Sequence, residues 1–129
     1  KPYWDFNQDI FELWGREGLE LSRMHMDKLY ALCQAHRIRL HLAIYPWIEH
    51  IVSGRTDSRY VRYWEDYARE KNINVINLFP EFMNTGAPDT VVAACFIPRD
   101  IHWNQNGHRL IADRLYRYWR EINADTAAL

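Results

Sequence analysis

The chain predicts an α/β domain built on a parallel sheet with crossover helices. Three observations point there. From residue 19 to residue 79 the chain alternates helix, strand, helix, strand at lengths that suit crossover connections. Its apolar period switches from three-or-four to two and back over the same span. Each strand candidate also runs into a proline, Pro46 and Pro80, which has no N–H to give to a sheet. At 129 residues the chain suits one domain, residues 1–129, and is short for two.

The opening residues are aromatic-rich (Tyr3, Trp4, Phe6, Phe11, Trp14) without clear period, and predict a short helix near Asp9 to Trp14. Gly15 and Gly18 then read as bracketing a turn. From Leu19, the positions Leu21, His25 or Met26, Leu29, Leu32 or Cys33, and His36 step by three or four, so one face of an amphipathic helix should end near Arg37. Ile38 to Tyr45 changes to period two and reads as a strand, with Ile38, Leu40, Leu42 and Ile44 on one face. Ile48 to Asp57 reads as a connection. A second helix follows, capped by Asp57 or Ser58, marked by Tyr60 or Val61, Trp64, Tyr67 or Ala68, and Lys71, and closed by Asn72. Ile73 to Phe79 is a second strand, and Glu81 to Asp89 a loop. Val91 to Ile97 predicts a third strand or a buried loop. The last helix should run from about Gln105 to Ile122, with Asn104 as its N-cap and with His108, Ile111, Ala112, Leu115, Tyr118 or Trp119, and Ile122 facing inward; the tail from Asn123 to Leu129 is weakly specified.

Composition excludes several classes. Apolar residues are 48% of the chain and aromatics 15%, which argues against disorder. The 16 basic and 17 acidic residues are scattered and nearly cancel, which gives no electrostatic case for nucleic acid or an anionic membrane. No apolar run approaches the ~18 residues of a membrane helix. Cys33 and Cys95 fit no zinc spacing, and either one disulfide or two buried free thiols suits them.

Chemistry concentrates in Ile97-Pro98-Arg99-Asp100-Ile101-His102-Trp103-Asn104-Gln105-Asn106-Gly107-His108. Asp100 and His102 lie two apart in a loop just before a helix. A carboxylate beside a histidine orients the ring and stabilises its protonated form, so that the ring can take a proton from a nucleophile and return it to a leaving group. The alternative is purely local: Asp100 caps a turn, Asn104 caps the helix, and His102 is an exposed side chain.

Asp100-Ile101-His102-Trp103-Asn104-x-x-Gly107-His108, followed by Leu110-Ile111-Ala112, resembles the last block of the SGNH (GDSL-type) hydrolases. The resemblance extends loosely over residues 19–122, through the strands ending Ala43-Ile44-Tyr45-Pro46 and Asn77-Leu78-Phe79-Pro80. It implies a three-layer α/β/α, flavodoxin-like fold and acyl-ester cleavage or transfer by a Ser-His-Asp triad, often on carbohydrate acetyl esters. It also implies His102 as base, Asp100 as triad acid, no cofactor and no metal, and it leans towards a location outside the cytoplasm. The commonest family spacing is Asp-x-x-His, and that earlier position here is Arg99. The Asp-x-His spacing matches alginate-type polysaccharide O-acetyltransferases and favours acetyl transfer.

The family's Gly-Asp-Ser and Gly-x-Asn blocks are absent, and with them the nucleophile and the oxyanion hole. The only serines are Ser22, Ser53 and Ser58, in helix or cap contexts; Ser53 is the most exposed-looking, yet it lacks the flanking acidic residue and the strand directly before it. The chain also begins Lys1-Pro2-Tyr3, without methionine or signal sequence. The expectation is the C-terminal part of a longer domain, completed by its remaining half or by self-association, because a truncated sheet leaves an open edge. His25, His36, His41, His50 and His108 form no metal-binding spacing with each other or with His102. Trp47 and Trp103 are the candidate substrate-binding residues, as aromatic faces on which a sugar ring could stack. Two functions follow: an esterase or O-acetyltransferase whose serine lies outside this chain, or a non-catalytic α/β interaction domain that keeps the fold.

Overall fold

The computed structural model describes residues 3–127. In chain order it contains α1 (Tyr3–Phe6), α2 (Gln8–Ile10), a π-helical turn (Phe11–Gly15), α3 (Arg16–Ala35), β1 (His41–Ile44), α4 (Ile48–Ser53), α5 (Arg59–Lys71), β2 (Asn74–Asn77), α6 (Phe79–Met83), α7 (Pro88–Cys95) and α8 (Gln105–Ala127). The protein is an α/β chain that is 69% helical, and β1 and β2 pair as a small parallel sheet. Two compact units divide the chain: residues 1–42 with 57–75, and residues 43–56 with 76–129.

In the first unit, helix begins much earlier than the glycines suggest. Asn7 caps α2 by accepting from the Ile10 N–H at 3.0 Å. The backbone then stays helical through the π turn into α3, so Gly15 and Gly18 lie inside helix and bracket no turn. A Cβ on Gly15 would lie 3.0 Å from Phe11 Cδ2 and 3.1 Å from Trp4 Cβ. Glycine is there for close packing. Buried Asp5 accepts from the Tyr60 N–H at 2.7 Å, and Ser58 caps α5 through the Val61 N–H at 3.1 Å. Asn72 ends α5 in the left-handed conformation, as expected of Asn at a helix C-terminus.

The face that α3 buries is rotated from the expected one. Leu19 and Cys33 are buried, while Leu21, Leu29 and Leu32 are exposed, as are His25 and His36. Polar side chains explain the choice. Tyr67, fully buried on α5, donates its hydroxyl to Asp27 at 3.1 Å, and Asp27 pairs with Lys71 at 3.0 Å. Arg23 pairs with Glu70, and the Tyr30 hydroxyl donates to the Lys71 carbonyl. These partners fix α3 against α5 with Leu19, Met26, Tyr30 and Cys33 on the inner side.

In the second unit the core is Ile51, Ile76, Leu78, Phe82, Val91, Phe96 and Ile111. Three readings of its elements are corrected. The connection after Pro46 holds helix α4, whose first turn is closed by a side chain: the Trp47 N–H donates to Nδ1 of buried His50 at 3.0 Å. Gly54 ends it with φ 63°. Pro80 both stops the strand and opens α6, where its missing N–H costs nothing, and the Asn77 side chain accepts from the Phe79 N–H. Val91 to Ile97 is no third strand. Residues 88–95 form α7, begun by Pro88 at a first-turn position and Asp89 beside the helix N-terminus, and only Phe96 extends to make a single antiparallel bridge to Trp103.

α8 starts where expected and continues to Ala127. Its inner face carries Gly107, Leu110, Ile111, Arg114 and Tyr118, whereas His108, Ala112, Leu115 and Trp119 face outward. Arg114 and Arg117 on α8 bind Glu81 of α6 at 3.2 and 3.4 Å. Cys33 and Cys95 are free thiols, and burial pushes the Cys95 thiol up.

Candidate active site

The loop between α7 and α8 is closed at both ends. Phe96 and Trp103 bridge, and the Ile97 N–H donates to the His102 carbonyl at 3.0 Å. Inside it, the Asp100 N–H donates to the Ile97 carbonyl at 3.0 Å. That bond defines a four-residue turn with Pro98 second and Arg99 third, and Arg99 sits at φ 65°. Proline in second place followed by a left-handed residue is the type II pattern, which glycine or asparagine normally serves. An arginine holds that conformation at a cost of about 1 kcal/mol.

The turn folds the Asp100 carboxylate back onto His102. One oxygen, Oδ1, accepts from the His102 backbone N–H at 3.2 Å and lies 2.6 Å from the ring Nδ1. An ionised carboxylate can only accept, so Nδ1 carries the hydrogen, and in the neutral ring the lone pair sits on Nε2. The short contact is that of a charge-assisted bond. The hydrogen bond to the His102 ring is the largest influence holding the Asp100 carboxyl below its ordinary range, with the His102 backbone N–H next. The His102 side chain is 75% exposed and that of Asp100 44%. Among the described residues, nothing but Asp100 hydrogen-bonds the His102 ring.

The residues after His102 anchor the loop. Asn104 Oδ1 accepts from the N–H groups of Asn106 and Gly107 at 2.9 and 3.1 Å, which caps α8 as expected. Asn104 Nδ2 donates to the carbonyls of Ala94 and Phe96, and its backbone N–H donates to the Cys95 carbonyl at 2.9 Å. One side chain thus ties the end of α7 to the start of α8. Gly107 is required for closeness, because a Cβ there would lie 2.3 Å from the Cys95 oxygen.

Trp103 is half-buried, with its ring stacked on Phe82 (centroids 6.2 Å, 17°), edge-on to Tyr45 at 4.6 Å and edge-on to His108 at 5.7 Å. Trp47 is exposed at the start of α4 and is not among the ring partners of Trp103. The structure brings Tyr45 to Trp103. The dyad follows helix α7, where a third strand or a buried loop was expected from Val91 to Ile97.

No serine meets His102. Ser22 donates to the Gly18 carbonyl; Ser53 donates to the His50 carbonyl and accepts from the Arg55 N–H; buried Ser58 caps α5. Among the described residues no three His, Cys, Asp or Glu side chains converge as metal ligands, and no helix is long and apolar enough to cross a membrane. His50 has a structural role, closing α4 and lying edge-on to Phe79 at 5.2 Å.

What the arrangement can do chemically is accept a proton at Nε2 and hold the resulting imidazolium against Asp100. Among the described residues it pairs a histidine with a carboxylate, and no serine hydroxyl bonds to either. No family model matches this chain, and neither a curated protein nor a solved structure matches it.

Proposed function

We propose that this chain supplies the base–acid half of an SGNH-like esterase or O-acetyltransferase, within a three-layer α/β/α domain of which it forms the C-terminal part. The observation that carries the reading is the 2.6 Å contact between His102 Nδ1 and Asp100 Oδ1, made by a loop that leaves Nε2 without a hydrogen-bond partner among the described residues. Nε2 takes the proton of a serine hydroxyl from outside this chain as its oxygen attacks an ester carbonyl. Asp100 holds the ring in the required tautomer and stabilises its charged form. The tetrahedral intermediate then collapses, and the leaving alkoxide takes the proton from Nε2. Water or an acceptor hydroxyl next releases the acyl group, deprotonated by the same nitrogen. Trp103 and Trp47 are the aromatic residues on which a carbohydrate carrying the ester would stack.

A second reading is a non-catalytic α/β interaction domain. The exposure of His102, and the engagement of all three serines elsewhere, favour that view, with Asp100 serving only to close the turn. Hydrolysis of p-nitrophenyl acetate and of acetylated sugars separates the two, using the longest natural protein that contains this chain. A loss of a hundredfold or more in His102→Ala, the scale of a general base, supports catalysis. Equal rates in wild type and variant support the interaction domain.

A further inference from the structure

The outward face of α3 repeats with a period that a solvated helix does not need. Glu17, Leu21, Met24, Lys28, Ala31 and Ala35 follow one another at spacings of three and four, the seven-residue repeat of a helix–helix seam, and Trp14 of the π-helical turn that leads into α3 precedes Glu17 by three. All seven are exposed, Leu21 at 53% and Met24 at 45%, and Leu13 and Leu32 flank the row at 79% and 56%. The opposite face is already taken by α5, through Leu19, Cys33 and the Asp27–Lys71 and Arg23–Glu70 pairs. Neither Glu17 nor Lys28 forms an ion pair with a described residue of its own chain.

The order of residues along the row specifies the occupant. A two-fold axis midway between Ser22 and Arg23 turns the row onto itself in the antiparallel sense. Leu21 then faces Met24 of the second copy, Glu17 faces Lys28, and Trp14 faces Ala31. Each layer is complementary: apolar on apolar, negative on positive, and the largest side chain of the row on one of its smallest. A parallel pair would instead set Glu17 on Glu17, Lys28 on Lys28 and Trp14 on Trp14. We infer that α3 docks antiparallel on α3 of a second copy of this chain, along about 26 Å of helix between Trp14 and Ala31. This surface lies in the first compact unit, the Asp100–His102 loop in the second, and the inference does not depend on the proposed chemistry.

The test is sedimentation equilibrium on four proteins, with far-UV circular dichroism to show that each remains folded. Wild type should dimerise at micromolar to tens-of-micromolar concentration. Glu17→Lys and Lys28→Glu each turn two symmetry-related attractive contacts into repulsive ones, and should weaken the dimer about tenfold or more. The double exchange, Glu17→Lys with Lys28→Glu, restores opposite charges in both layers and should return the dissociation constant to within about threefold of wild type. A wild type that stays monomeric to about 100 μM overturns the inference. So do single reversals without effect, or a double exchange that fails to restore the dimer, which would assign the row to a different partner or orientation.

Discussion

Gly107→Ala tests how closely α7 and α8 are joined behind the dyad. In an open helical position, alanine is more stable than glycine by about 1 kcal/mol. Here the added Cβ would lie 2.3 Å from the Cys95 carbonyl oxygen and 2.9 Å from Trp103 Cβ. The oxygen belongs to the backbone and cannot swing aside, so the first turn of α8 must retreat by the better part of an ångström. That oxygen also accepts the Asn104 N–H, and Asn104 is the cap and clamp of the loop. Overpacking costs about 1–3 kcal/mol, and a strained cap with one weakened hydrogen bond adds about 1–2. Set against the gain in helix propensity, a net loss of about 1–4 kcal/mol follows. With a urea slope of about 2 kcal/mol/M, the unfolding midpoint should fall by about 0.5–2 M. Gly18→Ala is the control, because nothing lies within 4 Å of a Cβ there, and it should stabilise by a few tenths to about 1 kcal/mol. If Gly107→Ala stabilises as Gly18→Ala does, the close approach of α8 to Cys95 is wrong.

Two further predictions concern strain and titration. Arg99→Gly places at φ 65° the residue that favours it, so stability should be unchanged or rise by up to about 1 kcal/mol despite the looser unfolded chain; a loss above 1 kcal/mol in urea unfolding would show that the arginine side chain has another role. Burial and its bond to Asp27 push the Tyr67 hydroxyl up to about 12. A raised folded value stabilises the protein fully below the unfolded value near 10, and that contribution is lost as the pH climbs from there through about 12. Phenolate absorbance should show Tyr67 as a late titration in the folded protein, and its appearance near pH 10 without unfolding would contradict the burial.

The three-and-four stepping pattern is legible where one face alone is apolar, as in α5, where Val61, Trp64, Tyr67 and Ala68 are buried, Tyr60 and Lys71 are half-buried, and the caps Ser58 and Asn72 are conventional. α3 misled because it has two apolar faces, and the choice between them lies with Arg23, Asp27 and Tyr30, whose partners on α5 the local sequence does not reveal. α7 was hidden because a short apolar run such as Val91 to Cys95 suits strand and helix alike; Ala87-Pro88-Asp89 was the available signal. α4 was hidden because its N-terminus is closed by the His50 ring rather than by a usual cap.

The dyad was legible as a spacing, and Asn104 as a cap. The turn that makes the spacing effective was not, since it depends on Arg99 adopting a glycine-like conformation. Trp103 was found, but its partner Tyr45 comes from a distant segment and lay beyond any local pattern. The glycine of Asn104-x-x-Gly107 gains its meaning only when α7 places the Cys95 carbonyl against it.

The claim that Asp100 and His102 act as one catalytic unit is tested most directly by a double-mutant cycle on acetyl-ester turnover. The kcat/KM values of wild type, Asp100→Asn, His102→Ala and the double variant would be compared in the longest natural protein containing this chain. Asp100 holds the tautomer that frees Nε2, so the account predicts losses of a hundredfold or more in each single variant. The double variant should be no worse than the weaker single, because residues that work as a unit are lost together. A wild-type rate in Asp100→Asn, or losses that multiply in the double variant, would contradict it.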